Sequence, residues 1–287
     1  MNPYSLEAAQ RPRGSRAGRA TIIILLLLLL FGARSIATYA VEYQWWVEMG
    51  QLDTWLSVLG YGLAPLAAAT LLAFAALWIA HGRGLRFSHS GSSRNAIYGR
   101  VAGALLLVIA FAISAASLDT WTIVRFLGAR GLPAAATTWR DAVFGQPLAF
   151  YLFDLPFYSS LRSYLLALAV ACAVVYWLTA RGWQLRHRIP EIAQSGQFDP
   201  TLLRLEGGLE SRFLRGAAVM VLLALALRFF LGRYEMLSND HGFMVGVDYV
   251  DRNIRLPLQW LVIAACLAAA ALVWMGRWLV AASMAVA

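Results

Sequence analysis

The chain contains no lysine: all 24 of its basic residues are arginine. That absence excludes mechanisms needing a lysine amine, such as a retinal or pyridoxal Schiff base or the lysine of a phosphate-binding loop. Cysteine is nearly absent. Cys172 and Cys266 each sit inside an apolar run, where a free thiol behaves as a small hydrophobe, and no disulfide framework is expected. The four histidines include none at metalloprotease spacing, so neither a metal nor another cofactor is expected. No nucleophile elbow, phosphate loop or dinucleotide fingerprint occurs, and the single G-x-G in a basic setting, Gly82 and Gly84, follows no strand. Charge is scarcest of all. Only 14% of residues are charged, where soluble domains have about 25%.

What fills the chain instead is hydrocarbon: 60% of residues are hydrophobic and the mean hydropathy is +0.63. The apolar residues are gathered into runs long enough to cross ~30 Å of lipid. Full spans are expected at about 20–41, 56–80, 101–117, 161–180, 216–231 and 256–275, with a partial seventh at 278–287 that stops short of a crossing. The fold class is therefore all-α, a polytopic transmembrane helix bundle of six full spans and a truncated seventh. The first run, with basic residues before it and small residues after it, could also be a cleavable signal peptide, but it leads into helix-compatible sequence. An uncleaved helix fits better. Trp45, Trp46 and Trp55 follow it in the manner of an interfacial belt, and Pro65 is placed to kink the second span. Residues 120–127 read as a short amphipathic helix and 201–212 as another, with Asp119 a cap for the first.

Residues 141–158, DAVFGQPLAFYLFDLPFY, lie midway between these runs. Pro147 and Pro156 argue against a spanning helix there, yet the segment is too apolar for a hydrated loop, so it reads as interfacial. Asp154, just before Leu155 and Pro156, suits the N-cap of the fourth span.

The arginines are not scattered. The basic tail at 1–19 and the even-numbered connections hold 15 arginines against 5 acids, whereas the odd-numbered connections hold 8 against 10. By the positive-inside rule the N-terminus is cytoplasmic and residues 141–158 face outward from a plasma membrane. The net charge of +9 flanks apolar runs and forms no basic face, so no nucleic-acid partner is expected; the lipid bilayer is. Arg34 is the one charge well inside an expected span, either a pathway residue or a cation neutralised at the interface by Glu42 or another outer acid. Glu235, Asp240, His241, Asp248 and Asp251 are rich in oxygen ligands but lack calcium-loop spacing, and read as a solvated loop.

Three stretches resemble one family. The run from Arg34 through TYAVEYQWWVEMG, the segment DAVFGQPLAFYLFDLPFYSSLRSYLL, and RYEMLSNDHGFMVGVDYVDRNIRLP are similar, in the same order, to the bacterial uncharacterised protein family 0182. The resemblance implies seven N-terminal spans followed by a large extracytoplasmic domain absent from this chain, and it brings no established activity. It places Arg34, Phe144, Gly145, Phe150, Tyr151, Pro156, Phe157, Tyr234, Glu235, Tyr249, Asp251 and Pro257 at motif positions. The family usually carries an Arg-Asp pair after its Phe-Gly, where this chain has Gln146 and Pro147.

Taken together, a non-enzymatic membrane anchor or scaffold of a larger envelope protein is expected, with envelope proteins or a second copy as partners. A transporter or channel using Arg34 and the Pro65 kink is the alternative. A membrane-embedded enzyme is third, since no acid, base and nucleophile constellation appears.

Overall fold

The structure is a computed structural model and describes residues 32–88, 96–132, 139–195, 212–240, 242 and 245–277. Two compact units are present, Met1–Gly60 and Tyr61–Ala287. The expected tail at 1–19, the start of the first span, His241, the 201–211 part of the second short helix and the partial seventh span lie outside the described residues.

In the first unit, residues 32–48 form α1. It runs past the expected end of the span at 41, so Glu42, Trp45 and Trp46 are helical and not in a loop. Gly50, at φ +66°, turns the chain, and the Tyr43 and Trp55 rings meet edge to face at 5.8 Å.

The remaining helices are α2 (Leu52–Phe87), α3 (Ala96–Ser117), α4 (Thr120–Ala129), α5 (Leu155–Ser195), α6 (Arg212–Glu235) and α7 (Leu256–Trp274). No strand occurs among the described residues. Five helical stretches, Leu52–Phe87, Ile97–Ser117, Phe150–Arg186, Arg212–Ser238 and Asp251–Trp274, are long and apolar enough to cross a membrane. Six full spans were expected, but the first is described only in part. Within the apolar windows just 17–28% of residues are buried by protein, and side chains such as Leu71, Leu72, Val108 and Leu261 are more than 60% exposed. Apolar area of that extent is stable only against an apolar solvent.

Small residues set the packing of the second unit. Ala69, Ala73 and Ala80 of α2, Ala110 of α3, and Cys172 with Tyr164 and Tyr176 of α5 share one core. The Tyr164 hydroxyl donates to the Ala69 carbonyl at 2.7 Å, a polar tie between apolar helices. Ala269 and Val273 of α7 pack on Ala218, Val219 and Leu222 of α6.

Helix starts and stops depart from expectation in instructive ways. Asp119 does cap α4, accepting from the Trp121 amide and the Thr122 hydroxyl at 3.2 and 2.7 Å. Asp154 does not cap α5. Helix begins at residue 148, passes through a π turn at Phe150–Asp154, and continues into Leu155 and Pro156. The proline ring removes one amide donor and crowds the preceding turn, and the chain answers by widening: the Leu155 amide reaches back five residues to the Phe150 carbonyl. The same device precedes α7, where the Leu256 amide donates to the Asp251 carbonyl ahead of Pro257. Consequently only 141–147 of the expected interfacial segment is non-helical. At the other end α5 continues to Ser195, so the expected polar loop from Arg181 begins as helix. Pro65 lies inside α2, which is continuous through it.

Candidate functional site

One end of the second unit is built around a carboxylate. Residues 141–147 fold back so that the Asp141 amide donates to the Gln146 carbonyl (3.0 Å) and the Asp141 carbonyl accepts from the Gly145 amide (3.1 Å). Gly145 takes φ +68°, a left-handed conformation that glycine adopts at little cost. This turn aims backbone donors at the side chain. Asp141 Oδ1 accepts from the Val143 and Phe144 amides (2.8 and 2.5 Å), and Oδ2 from the Gln146 amide (2.8 Å) and the Tyr151 hydroxyl (2.7 Å). Asp141 is only 5% exposed. Burial by itself favours its neutral form, but the hydrogen bonds from Phe144, Tyr151, Gln146 and Val143 prevail and hold the carboxyl below its usual range.

The turn is clamped by aromatic rings. Phe144 and Phe150 both meet the buried Tyr234 ring of α6 edge to face, at 5.0 and 4.9 Å, and Leu155 and Leu231 close the cluster. Behind Tyr234 sits Arg233, 7% exposed, with its guanidinium carbon 4.2 Å from the Trp260 ring centre and 4.8 Å from that of Phe230. Aromatic faces thus take the place of a carboxylate for this cation. A cavity of about 360 Å³ lies beside the cluster, lined by Trp139, Tyr151, Tyr234 and Glu235 among others.

Of the expected motif residues, Phe144, Gly145, Phe150, Tyr151 and Tyr234 are therefore brought into one knot. Pro156 is the second residue of α5 just beyond it, and Phe157 stacks on Phe126 of α4 with centroids 3.9 Å apart. Glu235 is exposed and accepts from Ser159 at 3.5 Å. Asp251 is 2% exposed and pairs with Arg255 at 3.0 Å, while Tyr249 is 82% exposed. Pro257 opens α7 and Asp154 is half-buried in the π turn. Arg34 is exposed on α1, and no ion pair joins it to Glu42. Glu235, Asp240, Asp248 and Asp251 do not converge into a group that could hold a metal ion.

Asp141 is absent from the expected motif residues. Its signal is nonetheless written in D-x-x-F-G: an aspartate followed by a turn glycine is the pattern of a side chain that satisfies its own loop. At the opposite end of the unit His81, expected in a loop, is buried in α2, with Nδ1 3.0 Å from the Thr179 hydroxyl of α5.

Comparison with known proteins agrees with the motif resemblance. Residues 19–287 match the model of the Uncharacterised protein family (UPF0182). A UPF0182 protein of Solibacter usitatus is 60% identical over 96% of this chain, one of Mycobacterium tuberculosis 30% identical over 93%, and one of Cupriavidus necator 25% identical over 92%. The chain spans 30%, 27% and 29% of the lengths of these relatives. No solved structure matches. By a family match over almost its whole length and by these relatives, the chain belongs to the uncharacterised protein family UPF0182.

Proposed function

We propose that this chain is a multi-pass module of the bacterial plasma membrane, with its N-terminus cytoplasmic, which anchors and orients an extracytoplasmic polypeptide. The observation that carries this reading is the Asp141 knot: a rigid, hydrogen-bonded turn that ties the start of α5 to the end of α6. Such a device fixes a surface and holds no reactive group free, because both carboxylate oxygens of Asp141 are already engaged. The arginine asymmetry supports placing this end outside. Tyr249, beside the knot's end of α7 and 82% exposed, then offers an aromatic contact to whatever docks there. The expected spans hold three charges, Arg34, Arg162 and Arg228, with no acid or histidine among them for a relay, which supports anchoring over transport.

Photo-crosslinking tests this. A benzoylphenylalanine in place of Tyr249 is expected to give covalent adducts with extracytoplasmic polypeptide, either a further part of the same protein or a separate envelope protein. The same residue in place of Trp274, at the far end of α7 and 65% exposed, is expected to give none. Identical adducts from the two positions would reject the docking surface.

A further inference from the structure

Next to the aromatic knot, α5, α6 and α7 line a second, polar cavity of about 370 Å³ that opens to the surface. Three guanidinium groups line it, Arg162 from α5, Arg228 from α6 and Arg255 ahead of α7, together with Gln259, Asn239 and Glu235. Helical spacing explains the convergence: Arg228, Gly232 and Glu235 are at i, i+4 and i+7 on α6, and Arg255 and Gln259 are four apart. Gly232 keeps the wall open, since a Cβ placed there would meet nothing closer than Gln259 Nε2 at 4.0 Å.

The charges are not balanced within the protein. Arg255 pairs with Asp251 at 3.0 Å, but Arg162 donates only to the Ser163 hydroxyl at 3.3 Å, and neither Arg162 nor Arg228 forms an ion pair among the described residues. Both belong to helical stretches apolar enough to cross a membrane, where a cation without a counter-charge is costly. Snorkelling to the surface would relieve a single arginine, but it gives no reason for three to face one cavity. In addition, Gln259 Oε1 is buried in the same wall and accepts no hydrogen bond. Against the three guanidiniums stand the carboxylates of Glu235 in the lining and of Asp251 on Arg255, so the site keeps one net positive charge and one idle acceptor, which suits an oxyanion that also carries a hydroxyl.

We propose that this cavity binds a phosphate group bearing a hydroxylated substituent. Arg162 and Arg228 hold the phosphate oxygens, and Gln259 accepts from the hydroxyl. Planar guanidinium forks suit phosphate geometry, and the cavity lies within the ~300–1,000 Å³ range of small-ligand sites. The same chemistry is offered by a phosphatidylglycerol headgroup and by soluble glycerol phosphate. The proposal needs no exported partner and stands apart from the anchoring function.

The test uses the full chain in phosphatidylcholine nanodiscs, with and without phosphatidylglycerol. Retained lipid is read by native mass spectrometry, and thermal shift is read with added glycerol 3-phosphate. Phosphatidylglycerol retained and not displaced by glycerol phosphate would assign the lipid; stabilisation by glycerol phosphate in phosphatidylcholine discs would assign the soluble ligand. Either is expected to weaken about tenfold in Arg228→Gln. Arg228 is exposed and in no ion pair among the described residues, so its replacement removes an unneutralised cation and the ligand-free melting temperature is expected to hold or rise, not fall. Gly232→Leu, which fills the cavity and leaves every charge in place, is expected to abolish binding. Absence of binding by the wild-type chain, or binding unchanged in Arg228→Gln and Gly232→Leu alike, would overturn the proposal.

Discussion

Asp141→Ala is expected to lower the stability of the bundle by about 3 kcal/mol: four donors lose their acceptor, each worth ~1–3 kcal/mol when fully buried, and being partly buried they recover some of that from water. The Val143, Phe144 and Gln146 amides and the Tyr151 hydroxyl all end on this one side chain, and no other acceptor in the turn replaces it. Asp141→Asn is expected to recover only part of the loss. An amide offers one acceptor oxygen and turns an NH₂ donor toward groups that are themselves donors. The readout is a thermal melt of the detergent-solubilised chain, and a variant melting with the wild type would refute the role given to the knot. The pH dependence has a definite sign. Because the folded carboxyl titrates below its usual range, its stabilisation is fully present above the unfolded value of ~3.9 and is lost as the pH falls through the lower folded value. Between pH 5 and 8, therefore, this group contributes a constant amount, and the difference between wild type and Asp141→Asn narrows only in acid.

The second large effect belongs to Gly84→Ala. A Cβ at Gly84 would stand 2.9 Å from both Thr179 Cβ and the Tyr176 carbonyl oxygen of α5, and neither is the free end of a flexible side chain. α2 and α5 would have to separate, at a cost of about 1–3 kcal/mol by the measure of overpacked cores. The 3.0 Å contact between His81 and Thr179, one turn away, would lengthen with them. Gly82 supplies the control. A Cβ there meets nothing within 4 Å, so Gly82→Ala is expected to be neutral or slightly stabilising, as alanine favours helix. Equal melting temperatures for the two variants would contradict the close approach of α2 and α5. The two glycines of a motif weak in sequence thus have different roles, and only one of them is sterically required.

These two residues also mark how far the sequence can be read. The apolar runs announce their helices because they are long and apolar enough to cross a membrane, and Asp119 announces its cap because capping is local. Pro156 misleads for a physical reason. A lone proline reads as a break, whereas the backbone absorbs it in a π turn whose five-residue hydrogen bond leaves no local signature in composition. Arg181 and its neighbours read as loop because they are polar, although a helix leaving an apolar environment continues without difficulty in a polar one. The knot was half legible: Phe144, Phe150, Tyr151 and Tyr234 emerge from the motif resemblance, and D-x-x-F-G marks a turn, but that the Asp141 carboxylate gathers three amides and the Tyr151 hydroxyl at once depends on the backbone path, which the motif does not specify. The arginine cavity was not legible at all. Its members come from three helices up to 97 positions apart, and only packing brings Arg162 beside Gln259.

The central claim is that these helices cross a bilayer in alternation, with the Asp141 end outside. Fusions of alkaline phosphatase and of a cytoplasm-active reporter at Ser93 and Thr137 measure it directly. The account predicts cytoplasmic activity at Ser93 and exported phosphatase activity at Thr137, and equal cytoplasmic activity at both positions would contradict it.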